Sequence, residues 1–181
     1  MDKATKKKDN IKYYQQLGLA KNPNKTELLR ELGPVDISAL KAKIAATKPE
    51  DWDTEEDFRL NANKTMTLNS VKHINFRFNE GRLYQRFNCS KWDEWKDLLL
   101  PVMDTCTEQY GYKNRFYPIV MLALLPANQS TVPHRDGSAI KVNPHKIHIP
   151  IETNDKVFFE LNDDRYSFKE GYAYEVNNII R

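Results

Sequence analysis

Apolar positions along the chain follow two spacings. Behind Asp36, a residue suited to cap a helix N-terminus, Ile37, Leu40 and Ile44 recur three or four apart. A longer stripe runs Trp92, Trp95, Leu99, Val102, Cys106, preceded by Ser90 with Asp93 three places on as a capping-box partner. Gly111 closes this second segment, and Pro101 predicts a kink inside it. An aromatic stripe at helical period predicts a core-facing helix, not a cofactor contact.

Most of the remaining pattern is strand-like. INFRF (74–78) and LYQRF (83–87) flank Asn79-Glu80-Gly81-Arg82 and predict a hairpin. FYPIVMLALL (116–125) is continuously apolar and predicts a strand buried on both faces. HKIHIPIET (145–153) alternates strictly, with Ile147, Ile149 and Ile151 on one face and Lys146, His148 and Pro150 on the other. KVFFEL (156–161) and RYSF (165–168) bracket the turn Asn162-Asp163-Asp164, and YAYEV (172–176) follows Gly171. With no internal repeat and no βαβ alternation, the pattern predicts a mainly β fold with flanking helices, a sandwich or barrel of jelly-roll type.

Residues 1–33 are rich in Lys, Asn and Gln, with weak helical signals around YYQQLGL and TELLREL, and Gly33-Pro34 ends them. They are expected to form a tail or appendage, with residues 34–181 as the folded domain. Residues 1–12 carry five Lys against two Asp, an excess equal to the whole chain's net charge of +3. The basic character is therefore local to a solvated terminus, which argues against a nucleic-acid surface.

Cys89 and Cys106 stand in no ligand spacing and are expected as buried thiols in a reducing compartment. No apolar signal segment follows the first lysines, and IVMLALL (119–125) falls well short of the ~20 residues of a membrane helix. A soluble, cytoplasmic protein with no membrane or nucleic-acid partner is expected; nothing fixes its oligomeric state.

The stretch TVPHRDGSAIKVNPHKIHIP carries the candidate chemistry. If residues 134–136 are extended, period 2 turns His134 and Asp136 to one side, within reach of one ion. An imidazole and a carboxylate are two thirds of the facial triad that suits non-haem Fe(II) oxygen chemistry. An exposed turn at Asp136-Gly137 is the bland alternative. HRD also occurs in kinase catalytic loops, but no Gly-rich loop precedes it and no DFG follows. Lys146 and His148 share the polar face of the next strand, where they either meet solvent or hold a carboxylate.

HRDG, then KIHIPIETNDKVFFEL, then YSFKEGYAYEVNN, resembles the aspartyl/asparaginyl β-hydroxylase-like family of Fe(II)- and 2-oxoglutarate-dependent dioxygenases, which includes free-proline hydroxylases. The likeness is clearest from Tyr117 to Arg181. It implies a double-stranded β-helix (cupin-like) core, iron held by His134 and Asp136, and 2-oxoglutarate held by Lys146 and His148. The implied reaction uses O2 to hydroxylate an amino acid, or an Asp, Asn or Pro residue in a peptide.

The chain departs from the family in three places. Lys146 stands where arginine is more common, keeping the charge but losing the bidentate fork. Asp136 stands where the aspartyl hydroxylases proper carry glycine, so their substrate does not transfer. The family's distal metal histidine follows the Gly of EG by about eleven residues, which falls just beyond Arg181, and no later arginine remains. A C-terminally incomplete domain with weak or no turnover is therefore expected. The rival expectations are a catalytically inactive jelly-roll module that binds a small carboxylate through Lys146 and His148, and a structural zinc site built from His134, Asp136 and His148. Tyr84, Phe87, Tyr172 and Tyr174 are candidates to line a pocket, or ordinary core.

Overall fold

The computed structural model describes residues 27–60, 69–79, 86–134 and 144–177. They fall into two compact units, one of residues 27–37, 102–116 and 144–177, the other of 38–60, 69–79, 86–101 and 117–134.

In the first unit a three-stranded antiparallel sheet is ordered β1 (Leu29–Pro34), β8 (Tyr172–Val176), β5 (Ile147–His148). Strand β8 is central, and its alternation puts Ala173 and Glu175 on one face and Tyr172, Tyr174 and Val176 on the other. Each face packs its own cluster. Ala173 meets Val35, Val102 and Cys106, with Leu32, Ile147 and Ile149 against them. Tyr174 and Val176 meet Phe168, with Phe159, Leu161, Tyr166 and Tyr172 alongside. The alternation expected of HKIHIPIET holds where it matters: Ile147 and Ile149 join the first cluster, and the His148 ring lies edge-on to Phe159 on the second.

The pair β6 (Phe159–Leu161) and β7 (Asp164–Tyr166) is a hairpin at the expected turn. Asn162 and Asp163 both have positive φ, 57° and 81°, the signature of the turn whose twist matches its strands.

The described part of TELLREL, residues 27–32, is not helical; Leu29–Pro34 is strand β1, registered from Leu29↔Val176 to Pro34↔Tyr172. A ladder to a strand far along the sequence overrides the local spacing of leucines that mimics a helix. Gly33, at the expected boundary, lies within β1.

The second unit holds α1 (Ser38–Ala45), α2 (Glu55–Leu60) and a sheet ordered β3 (Arg86–Asn88), β2 (Lys72–Asn79), β4 (Val120–Leu124). Strands β2 and β3 form an antiparallel pair as expected, but Asn79, expected in the turn, lies in the ladder opposite Arg86, with Phe78 opposite Phe87. Helix α3 (Trp92–Thr107) begins in this unit and ends in the first, running through Pro101. Its stripe is buried as expected, from Trp92 and Trp95 to Leu99, Val102 and Cys106, and Trp95 packs on Phe76 at 5.2 Å between ring centroids. At its start Ser90 donates to Glu56 Oε2 and Asp93 pairs with Lys96, in place of the capping box expected between Ser90 and Asp93. The capping box instead opens α2, where Thr54 and Asp57 bond reciprocally.

The expected double-sided burial of FYPIVMLALL is not found. Strand β4 pairs with β2 alone among the described residues, and Leu124 and Leu125 are each 42% exposed. An edge strand has no neighbour to cover its second flank. No helix among the described residues is long and apolar enough to cross a membrane.

Candidate functional site

The candidate residues of the first unit ride on β5. Ile147 pairs with Glu175 and His148 with Tyr174, so the short strand is held against the centre of the sheet. Val176 N–H donates to the Lys146 carbonyl, which extends that registration by one residue. On the side of β5 that carries His148, three aromatic rings stack in sequence, Phe159 on Phe168 at 4.3 Å and Phe168 on Tyr174 at 4.2 Å. The imidazole of His148 stands 5.3 Å from the Phe159 centroid. A histidine against a rigid aromatic wall keeps one ring orientation, which suits a residue that must present a nitrogen to a ligand.

The opposite side of β5 carries a polar constellation that spacing alone did not reveal. Glu175 is 7% exposed and has both carboxylate oxygens engaged. His145 Nδ1 donates to Oε1 at 2.5 Å, and the Tyr110 hydroxyl donates to Oε2 at 2.7 Å. A carboxylate only accepts, so Nδ1 is the donor, and Nε2 lies in hydrogen-bond contact with the Tyr112 hydroxyl at 3.0 Å. Tyr110 stacks on the His145 ring at 3.8 Å, and Arg30 lies 5.5 Å above Tyr110. Burial pushes the Tyr110 phenol above its ordinary range, and its bond to Glu175 pushes it further. Burial, then the Glu175 charge, also raises Tyr112. This network pins His145, the residue immediately before Lys146, to the centre of the sheet.

Two signals for it were present in the sequence. His145 shares the face of Ile147 and Ile149, and Glu175 is a lone carboxylate inside the apolar strand YAYEV. Each is a polar group on a buried face, and such a group requires a partner.

His134 belongs to the second unit and is exposed. Its Nδ1 lies 2.8 Å from the Val132 carbonyl, which can only accept. Nδ1 is therefore the donor in this bond, and Nε2 is the ring nitrogen left outside it. Asp136 and Tyr84 lie outside the described residues. Among the described residues no three His, Cys, Asp or Glu side chains gather as a metal set. Tyr174 is core, Tyr172 packs against that core, and Phe87 is half-buried on β3. Burial, the largest influence on each thiol, raises Cys89 to about 12 and Cys106 to about 11, which keeps both protonated and poor nucleophiles.

Comparison with protein-family models, with curated proteins and with solved structures returned no match.

Proposed function

We propose that this chain is an Fe(II)- and 2-oxoglutarate-dependent dioxygenase that hydroxylates an amino acid, or an Asp, Asn or Pro residue in a peptide. In this reading its small antiparallel sheets belong to a double-stranded β-helix. The observation that carries the proposal is the 2.8 Å contact of His134 Nδ1 with the Val132 carbonyl. The His134 Nδ1–H is committed to a backbone carbonyl, the outer-shell bond typical of a metal-ligating imidazole, so Nε2 is the nitrogen offered to iron. Asp136, two residues on, supplies the carboxylate of the same donor set.

When bound, the iron supplies oxygen activation coupled to oxidative decarboxylation of 2-oxoglutarate. The residues of the chain bind and orient. Lys146 offers a point positive charge to a cosubstrate carboxylate, and His148 offers a ring nitrogen from the same face of β5. The stacked Phe159, Phe168 and Tyr174 fix that face. The Glu175–His145–Tyr112 chain sets the backbone entering it.

The reading is tested by following succinate formed from 2-oxoglutarate with Fe(II) and air. The expected result is slow, iron-dependent release that is abolished by His134→Ala. Release that is unchanged in both His134→Ala and Asp136→Ala would sink the proposal. Carboxylate binding through Lys146 with no release would favour a binding module without catalysis.

A further inference from the structure

Tyr110, Tyr112, His145 and Glu175 are a cluster of titratable groups in the first unit whose protons the iron chemistry does not use. The Tyr112 hydroxyl meets His145 Nε2 at 3.0 Å, and His145 Nδ1 meets Glu175 Oε1 at 2.5 Å. The Tyr110 hydroxyl donates to the other carboxylate oxygen at 2.7 Å. Each phenol oxygen therefore stands within hydrogen-bond reach of a basic atom. Tyr174 differs, because its hydroxyl accepts the Lys169 N–H at 3.1 Å.

A basic neighbour decides how readily a tyrosine gives up an electron. A phenol that loses one becomes a strong acid, so the loss is favourable only where a base takes the proton in the same step. Burial raises both phenols above their ordinary value, so at neutral pH neither presents a phenolate that could be oxidised directly. Tyr112 is the better placed of the two. In a neutral His145 ring whose Nδ1–H is given to Glu175, the lone pair sits on Nε2 and faces Tyr112. Uptake of the Tyr112 proton makes that ring an imidazolium, and the Glu175 side chain, 8% exposed, then holds a cation at 2.5 Å. At Tyr110 the proton would instead neutralise the carboxylate, and Arg30, 5.5 Å over that ring, opposes positive charge on it. The His145 ring is held in place by Tyr110, which stacks on it at 3.8 Å, and Tyr112 is half-buried, so one side of it is open to a reagent in solution.

We propose that Tyr112 is a redox-active tyrosine: an outer-sphere one-electron oxidant of high potential takes an electron from its ring while its hydroxyl proton passes to His145 Nε2. The O–H bond breaks, an Nε2–H bond forms and the oxidant is reduced by one electron. The products are a neutral phenoxyl radical and an imidazolium paired with Glu175. His145 is the proton acceptor, and Glu175 is the positioning residue that turns Nε2 toward Tyr112. The proposal stands on the first unit alone and does not rest on the hydroxylase reading.

The test is photo-oxidation of the full chain, without iron, by ruthenium(III) tris-bipyridine generated by a light flash with a cobalt(III) acceptor. The radical is read by electron paramagnetic resonance after rapid freezing. A tyrosyl signal is expected, with most of it lost in Tyr112→Phe and all of it kept in Tyr166→Phe. His145→Gln can still donate to Glu175 but is no base, and is expected to lower the yield severalfold. The wild type alone supplies two further readouts: its oxidation is expected to slow in heavy water, and its nitrogen NMR spectrum at neutral pH is expected to show His145 protonated on Nδ1 only. A signal unchanged in Tyr112→Phe, full yield in His145→Gln, or equal rates in light and heavy water would each overturn the proposal. So would a His145 ring protonated on both nitrogens, since Nε2 then has no lone pair to receive the proton.

Discussion

Glu175 shows at the scale of one residue how a buried charge is made tolerable: one oxygen takes His145 Nδ1–H and the other takes the Tyr110 hydroxyl. Tyr110→Phe removes one of those donors from a buried carboxylate. It is expected to cost about 1–3 kcal/mol in urea unfolding, more than a surface Tyr→Phe change. The two phenols also make stability depend on pH. Both have folded values above the ordinary 10.0, so the folded state holds their protons more tightly than the unfolded state does. Their contribution is complete below about pH 10 and is lost as pH rises through the raised folded values. The urea midpoint is expected to fall more steeply above about pH 10 in the wild type than in a Tyr110→Phe/Tyr112→Phe double variant; parallel curves would contradict the network. Lys146→Ala is expected to weaken 2-oxoglutarate binding by about tenfold or more in calorimetry, with Lys146→Arg restoring most of it. Lys146 and His148 stand out in the sequence as candidates because they are two apart, as His134 and Asp136 are. Glu175 and Tyr110 do not stand out, because what joins them is a fold contact between segments distant in sequence.

At the scale of elements, legibility tracked how local the determining contacts are. The α3 stripe was readable from five apolar positions at helical period, and all five are buried. The β6–β7 hairpin was readable from Asn162-Asp163-Asp164. Strand β1 was hidden because its leucines match a helical spacing until β8 supplies a ladder. Strand β4 was misjudged because an apolar run does not announce which of its flanks will be covered.

Two substitutions test these elements. Gly171 has φ +71, donates its N–H to the Pro150 carbonyl and accepts from Val35 N–H at 2.7 Å, so it ties three segments together. Gly171→Ala puts a side chain into left-handed backbone, with its Cβ 3.5 Å from the Val35 carbonyl oxygen. It is expected to lower stability by about 1–2 kcal/mol, read as a shift in thermal midpoint. Asp163→Gly, at φ 81, relieves a positive-φ cost in the β6–β7 turn and is expected to raise the midpoint slightly. A fall would contradict the turn.

For the whole molecule, the mainly β character, small antiparallel sheets with a few helices, was legible from short strands at regular intervals. The division into two units was not, since each is assembled from segments far apart in sequence. The most direct test is an anaerobic titration of the chain with Fe(II) and 2-oxoglutarate, followed by the visible charge-transfer absorption of iron chelated by the 2-oxo acid. The account predicts a band that needs both additions, is lost in His134→Ala, and forms only at higher 2-oxoglutarate in Lys146→Ala. A band absent from the wild type, or unchanged in His134→Ala, would contradict it.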